Sequence, residues 1–179
     1  MQSHRDPAEE RPEPEDLNEK EVLVIGCGNV LFGDDGFGPT FIKEYSARGG
    51  IPSGVGLLDA GTGVREVLFD LALGERRPKR IIVIDAIDVG RAAGEVFEVD
   101  LDGIPAKKAD DFSMHQLPTS NLLRELRASC GVDIRIVAVQ VESIPESMRA
   151  GLSGPVAAAL PEVSAMVSAL IAETIPAGV

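Results

Sequence analysis

The sequence predicts an α/β fold: a doubly wound, mostly parallel, five-stranded twisted sheet flanked by helices on both faces. Three observations point there. Apolar, β-branched runs alternate along the chain with segments of helical periodicity. Two of the runs, RIIVIDA at 80–86 and DIRIVAVQV at 133–141, are rich in Val and Ile with few polar positions, the pattern of strands covered on both faces. Aromatics make up only 4% of the 179 residues against 44% hydrophobic, so Val, Ile, Leu and Ala must fill the core, the usual filling of a parallel sheet.

Taken in order, EVLVIG at 21–26 reads as the first buried strand and is followed by a loop from Cys27 to Gly38. Pro39 suits the first turn of a helix reaching about Arg48, which Gly49-Gly50 stops. A second strand spans Val55 to Asp59, and after a turn at Gly61 to Gly63 a helix runs from Val64 to Leu73, with Val64, Val67, Leu68 and Leu71 on one face. The third strand, 80–86, should be central. GEVFEVDL at 94–101 alternates polar and apolar residues and so reads as a half-exposed strand, an antiparallel edge. A long loop from Asp102 to about Leu117 leads into a helix over 118–130, opened by Thr119 or Ser120. After the last strand, 133–141, comes a loop at 142–154. Ser153 then caps a final helix over 155–175, kinked or restarted at Pro161. Strand and helix in alternation imply right-handed parallel crossovers.

Composition narrows the function. The length fits one domain, read as 21–179. Residues 1–20 hold seven acids, three bases and three prolines with almost nothing to bury, which reads as a disordered acidic tail. A net charge of -12 argues against nucleic acid or an anionic membrane as partner. Cys27 and Cys130 lie far apart without metal or disulfide spacing, the N-terminus has no apolar stretch of signal type, and no window of 18 apolar residues is expected to span a bilayer. A soluble cytoplasmic protein is expected.

Open parallel sheets bind ligands at the carboxyl ends of their strands. Gly28, Asn29, Asp34 and Asp35 follow the first strand; Asp59, Gly61 and Thr62 follow the second; Asp85 and Asp88 follow the third; the long loop adds His115 and Gln116. If strands one and three are neighbours, Asp35, Asp85 and a folded-back His115 converge on one rim, a ligand set suited to nickel, zinc, manganese or iron. Gly28 and Asn29 would shape the first loop and Gly61 and Thr62 the second, while Asp59 either orients a ligand or is structural. Each residue also has a plain reading: Asp85 as a binder of loop amides, Asp34-Asp35 as turn chemistry, His115 and Gln116 as loop surface.

The run VIGCGNVLFGDDGFGP at 24–39 resembles the opening signature of the hydrogenase maturation endopeptidases, and LDAGT at 58–62, IDA at 84–86 and MHQL at 114–117 follow in the family's order. The resemblance covers residues 21 to 175. It implies a five-stranded twisted sheet and a metal position formed by Asp35, Asp85 and His115. Many members have glutamate where Asp35 stands; Asp34 is the neighbouring alternative. The run SMHQLPTS at 113–120 is similar to the branch serving deazaflavin-reducing hydrogenases of methanogens. In such a family the substrate is a precursor of the nickel-iron large subunit already carrying nickel, which the protease recognises without holding a metal of its own. Nickel is thus the expected ion, presented by the substrate.

Three other readings compete. Cys27 with His115 could form a cysteine hydrolase. A nucleotide-binding module is disfavoured, because the glycine pattern begun by Gly26 and Gly28 has Leu31 in its sixth place, and Asp59 lies 33 residues after Gly26 instead of about 20. A non-catalytic sensor of nickel insertion shares every residue above.

Overall fold

The computed structural model describes residues 17–102 and 120–175. Strand β1 (Val22–Cys27) is buried throughout. It leads through a 3-10 turn, Gly33–Gly36, into helix α1 (Phe37–Ala47). Strand β2 (Val55–Gly61), helix α2 (Val64–Leu73) and strand β3 (Arg80–Ile87) follow. Next come the short strand β4 (Val96–Glu98), helix α3 (Ser120–Cys130), strand β5 (Asp133–Gln140) and helices α4 (Gly154–Ala158) and α5 (Leu160–Ala172).

The five strands lie in the order β2-β1-β3-β5-β4, parallel except for β4, which pairs antiparallel with β5 at the edge. Side-chain alternation divides the core in two. Val24, Ile82, Ile84, Val137 and Val139 face α1 and α5 through Phe37, Phe41, Val163 and Val167. Leu23, Ile25, Ile81, Val83 and Ile136 face α2 and α3 through Leu68, Leu71, Leu123 and Leu126. Strands covered on both faces can carry Val and Ile at nearly every position.

Several elements differ in detail from the sequence reading. Helix α1 begins two residues before Pro39, because first-turn amides need no partner within the helix and proline loses nothing there. Ser153 takes the N-cap position of α4 but makes no side-chain cap, since its hydroxyl is engaged elsewhere. The last helix breaks at Ala159 and restarts with Pro161 in its first turn. Strand β4 is shorter than 94–101, although hydrogen bonds from Gly94, Gln140 and Val99 prolong its pairing with β5 on both sides.

Residues 1–16 of the expected tail lie outside the described residues, and the fold reaches further back than residue 21: Leu17 is buried in the α2/α3 face of the core. The stretch Gly154–Ala172, contrary to expectation, is long and apolar enough to cross a membrane by length and composition. Here it is a broken core helix, with Val156, Val163 and Val167 fully buried against the sheet.

Candidate active site

Strand β1 lies between β2 and β3, so the connections leaving β1 and β3 diverge and open a crevice at their carboxyl ends. The backbone there is compressed by glycine. A Cβ on Gly38 would lie 2.3 Å from the Cys27 carbonyl oxygen and 2.7 Å from that of Ile84, which is how α1 starts directly on β1 and β3. Gly28 has φ +119°, a Cβ there would lie 1.8 Å from the carbonyl oxygen of Asp35, and its amide donates to Gly61 at 3.0 Å. The loops after β1 and β2 are thereby joined.

Within this frame the amide of Asn29 donates both to the Asp35 carbonyl at 3.1 Å and to its Oδ2 at 2.9 Å, while the Asn29 Oδ1 accepts from Leu31 at 3.0 Å. On β2, the exposed Asp59 accepts from the Gly61 amide at 3.0 Å through Oδ1, and the nearby Thr62 is also exposed. Asp85 is half-buried near the end of β3 and its Oδ1 accepts from Ala86 at 2.8 Å. Burial pushes the Asp85 carboxyl up to about 7; the Ala86 amide pulls it down, and the negative charge of Asp35 pushes it further up.

The three carboxylates share a neighbour. The thiol of Cys27, 5% exposed, is held well above the ordinary cysteine value, first by burial and then by Asp85, Asp59 and Asp35 in that order. Asp85 on β3, Asp59 on β2 and Asp35 in the turn after β1 thus all lie near the end of β1. The same surrounding argues against the cysteine-hydrolase reading, because a nucleophilic thiol needs positive neighbours that lower its pKa, whereas the described ones here are carboxylates.

Asp34 differs from the expectation that it could replace Asp35. It is 1% exposed, and its carboxylate accepts hydrogen bonds from the amides of Glu142, Ser143 and Ser153 and from the Ser153 hydroxyl. Its oxygens are committed to the loop after β5 and turned away from the crevice. Asp88 joins a second polar cluster: buried Gln140 donates to Asp88 and accepts from the amides of Val89 and Arg91, fixing the loop after β3. The parts that Ser153, Gln140 and Gly38 play around the site were not read from the sequence; only Gly38 leaves a signal for it there, as one of the closely spaced glycines of 26–38.

His115 and Gln116 lie outside the described residues. Among the described residues no group of three or more His, Cys, Asp and Glu side chains is placed to hold a metal ion. Of the expected set, Asp35 and Asp85 lie at the crevice, and His115 lies outside the described residues.

Residues 39–170 match the family model described as hydrogenase maturation protease, a span containing Asp59, Asp85 and His115. The chain belongs to the hydrogenase maturation protease family. The delta subunit of the coenzyme F420 hydrogenase of Methanothermobacter thermautotrophicus is 36% identical over 151 residues, covering 82% of this chain and 92% of that relative. The hydrogenase 2 maturation protease of Escherichia coli is 29% identical over 157 residues, 87% of this chain and 89% of that protein. The solved structure of the E. coli hydrogenase maturating endopeptidase HybD matches with a TM-score of 0.69 at 29% identity, over 84% of this chain and 91% of that one. The protein is thus a hydrolase of the protease class, and the nucleotide-binding reading is set aside.

Proposed function

We propose that this maturation protease removes the C-terminal extension from a precursor of a nickel-iron hydrogenase large subunit after nickel has been inserted, and that the precursor belongs to a deazaflavin-reducing hydrogenase. The observation that carries the reading is the placing of Asp35 and Asp85 at the switch of the sheet, close enough that the charge of Asp35 helps raise the Asp85 carboxyl. Like charges gathered in a half-buried crevice repel one another and are stabilised by a cation. A nickel-bearing precursor supplies that cation, and a nickel-free one does not.

In this reading Asp35, Asp85 and His115 contact the nickel presented by the precursor and so hold the adjoining peptide at the rim. Asp85, poised near neutrality, gives up its proton as the cation arrives. Gly28, Asn29, Gly61 and Thr62 shape the walls, and Asp59 and Gln116 are the residues assigned to contact the peptide. The choice of hydrogenase is supported by the identity to the coenzyme F420 hydrogenase delta subunit together with the run SMHQLPTS. The acidic chain, net charge -12, is proposed to work in the cytoplasm, away from nucleic acids and membranes.

The test is to incubate the purified protein with nickel-loaded and nickel-free precursor and follow the intact mass of each. Loss of a C-terminal peptide from the loaded form alone, abolished by His115→Ala, is expected. Tight binding with no change of mass would replace the protease with a nickel-insertion sensor.

A further inference from the structure

We propose that Asp34 is a positioning residue for the cleavage reaction: by strapping the loop after β5 to the 3-10 turn, it aims the neighbouring Asp35 at the crevice. The inference rests on the reading of Asp35 as a nickel contact.

Consecutive acids in one turn have opposite surroundings. Asp34 is buried and accepts four hydrogen bonds, at 2.9 Å from Glu142, 3.4 Å from Ser143, and 2.6 and 2.9 Å from the amide and hydroxyl of Ser153. These partners stand 108 to 119 residues away along the chain. The same turn is pinned again beside Asp34, where Gly33 donates to the Arg149 carbonyl and Arg149 donates to the Leu31 carbonyl, each at 2.8 Å, forming a one-residue parallel bridge between Phe32 and Arg149. On its other side Asp35 is held by the Asn29 amide through both its carbonyl and its Oδ2.

Asp35 is therefore fixed between two anchors, one in the loop it belongs to and one, through Asp34, from the loop after β5. A buried carboxylate is costly to keep unless every oxygen is satisfied. Satisfying Asp34 with the 142–153 loop gives a rigid turn where an Asn or Gly would have left a soft one. Groups that orient ligands in this way are worth about 10–100-fold in metal affinity or activity.

The test uses the full chain with Asp34→Asn, and with Ser153→Ala as the milder variant should the first fail to fold. In the free protein, amide hydrogen exchange is measured at Asn29 and Leu31, with Val83 in β3 as the internal control. Faster exchange at Asn29 with Val83 unchanged is expected; unchanged Asn29 exchange overturns the proposal. With nickel-loaded precursor, kcat/KM should fall about 10–100-fold for Asp34→Asn and several-fold for Ser153→Ala. In an Asp35→Asn background the same changes should weaken precursor binding by no more than about twofold, because two residues acting through one group are not additive. Equal losses in both backgrounds overturn positioning in favour of a general structural role. A wild-type protein that does not cleave removes the proposed function, and the exchange result still decides whether Asp34 holds the turn.

Discussion

Asp85 is the residue at which the fold and the site are in conflict. Its carboxyl is raised from an ordinary 3.8 to about 7, first by burial, so the folded chain binds this proton more tightly than the unfolded chain does. The contribution to stability is therefore full below about pH 4 and is lost as the pH climbs through 7. Asp85→Asn removes the titration. Each pKa unit corresponds to about 1.4 kcal/mol, so the variant should be more stable than wild type by up to about 4 kcal/mol at pH 8, with the difference closing toward pH 4. Thermal melts in chelator at the two pH values check this, and a gap independent of pH would contradict it. Cys27 makes a second residue-scale prediction: with its thiol held protonated in the core, Cys27→Ser should keep most of the cleavage activity while costing some stability, read as kcat/KM and Tm together. Gly28→Ala, by contrast, places a Cβ on the Asp35 carbonyl and strains a positive φ, and should lose activity through the loop it deforms, with a stability cost of about 1–3 kcal/mol or more.

At the scale of elements, two contacts decide how the helices seat. Gly38 lets α1 begin on the backbone of β1 and β3, so Gly38→Val should cost about 3 kcal/mol or more in chemical denaturation, because the intruded atoms are carbonyls that cannot turn aside. At the opposite end of the sheet, Arg80 is 1% exposed, pairs with Asp133 at 2.5 Å and donates to the carbonyls of Leu170 and Glu173 at the end of α5. Arg80→Ala leaves Asp133 without its partner and should destabilise by about 3–5 kcal/mol, while kcat of the folded fraction stays near wild type because the crevice lies at the other strand ends. Most elements were legible in the sequence because their signals are local. The Val and Ile runs of β1, β3 and β5 need only covering on both faces, and α2 follows its apolar stripe from Val64 to Leu71. The start of α1, the cap of α4 and the reach of β4 were not legible, since each is set by a partner elsewhere: Gly38 on Cys27, Ser153 on Asp34, and Gly94 on Gln140.

For the molecule as a whole, the strand order places β1 beside β3, and that adjacency turns a list of strand-end acids into a site. Asp35 and Asp85 were named in the sequence because strand ends are where such sheets bind ligands, and their mutual influence appears in the titration of Asp85. The role of Asp34 was hidden: its spacing is that of any paired acid, and its partners come from a loop more than a hundred residues away. Membership of the maturation protease family gives the protein its activity class, hydrolysis of a peptide. To this the carboxylates add the proposed grip of the crevice on nickel carried by the substrate. Nickel X-ray absorption of the loaded precursor, alone and bound to the protease, tests it most directly. Added oxygen and nitrogen neighbours on nickel in the complex, reduced in number by Asp85→Asn and by His115→Ala, are predicted. An unchanged nickel environment on binding would contradict the claim.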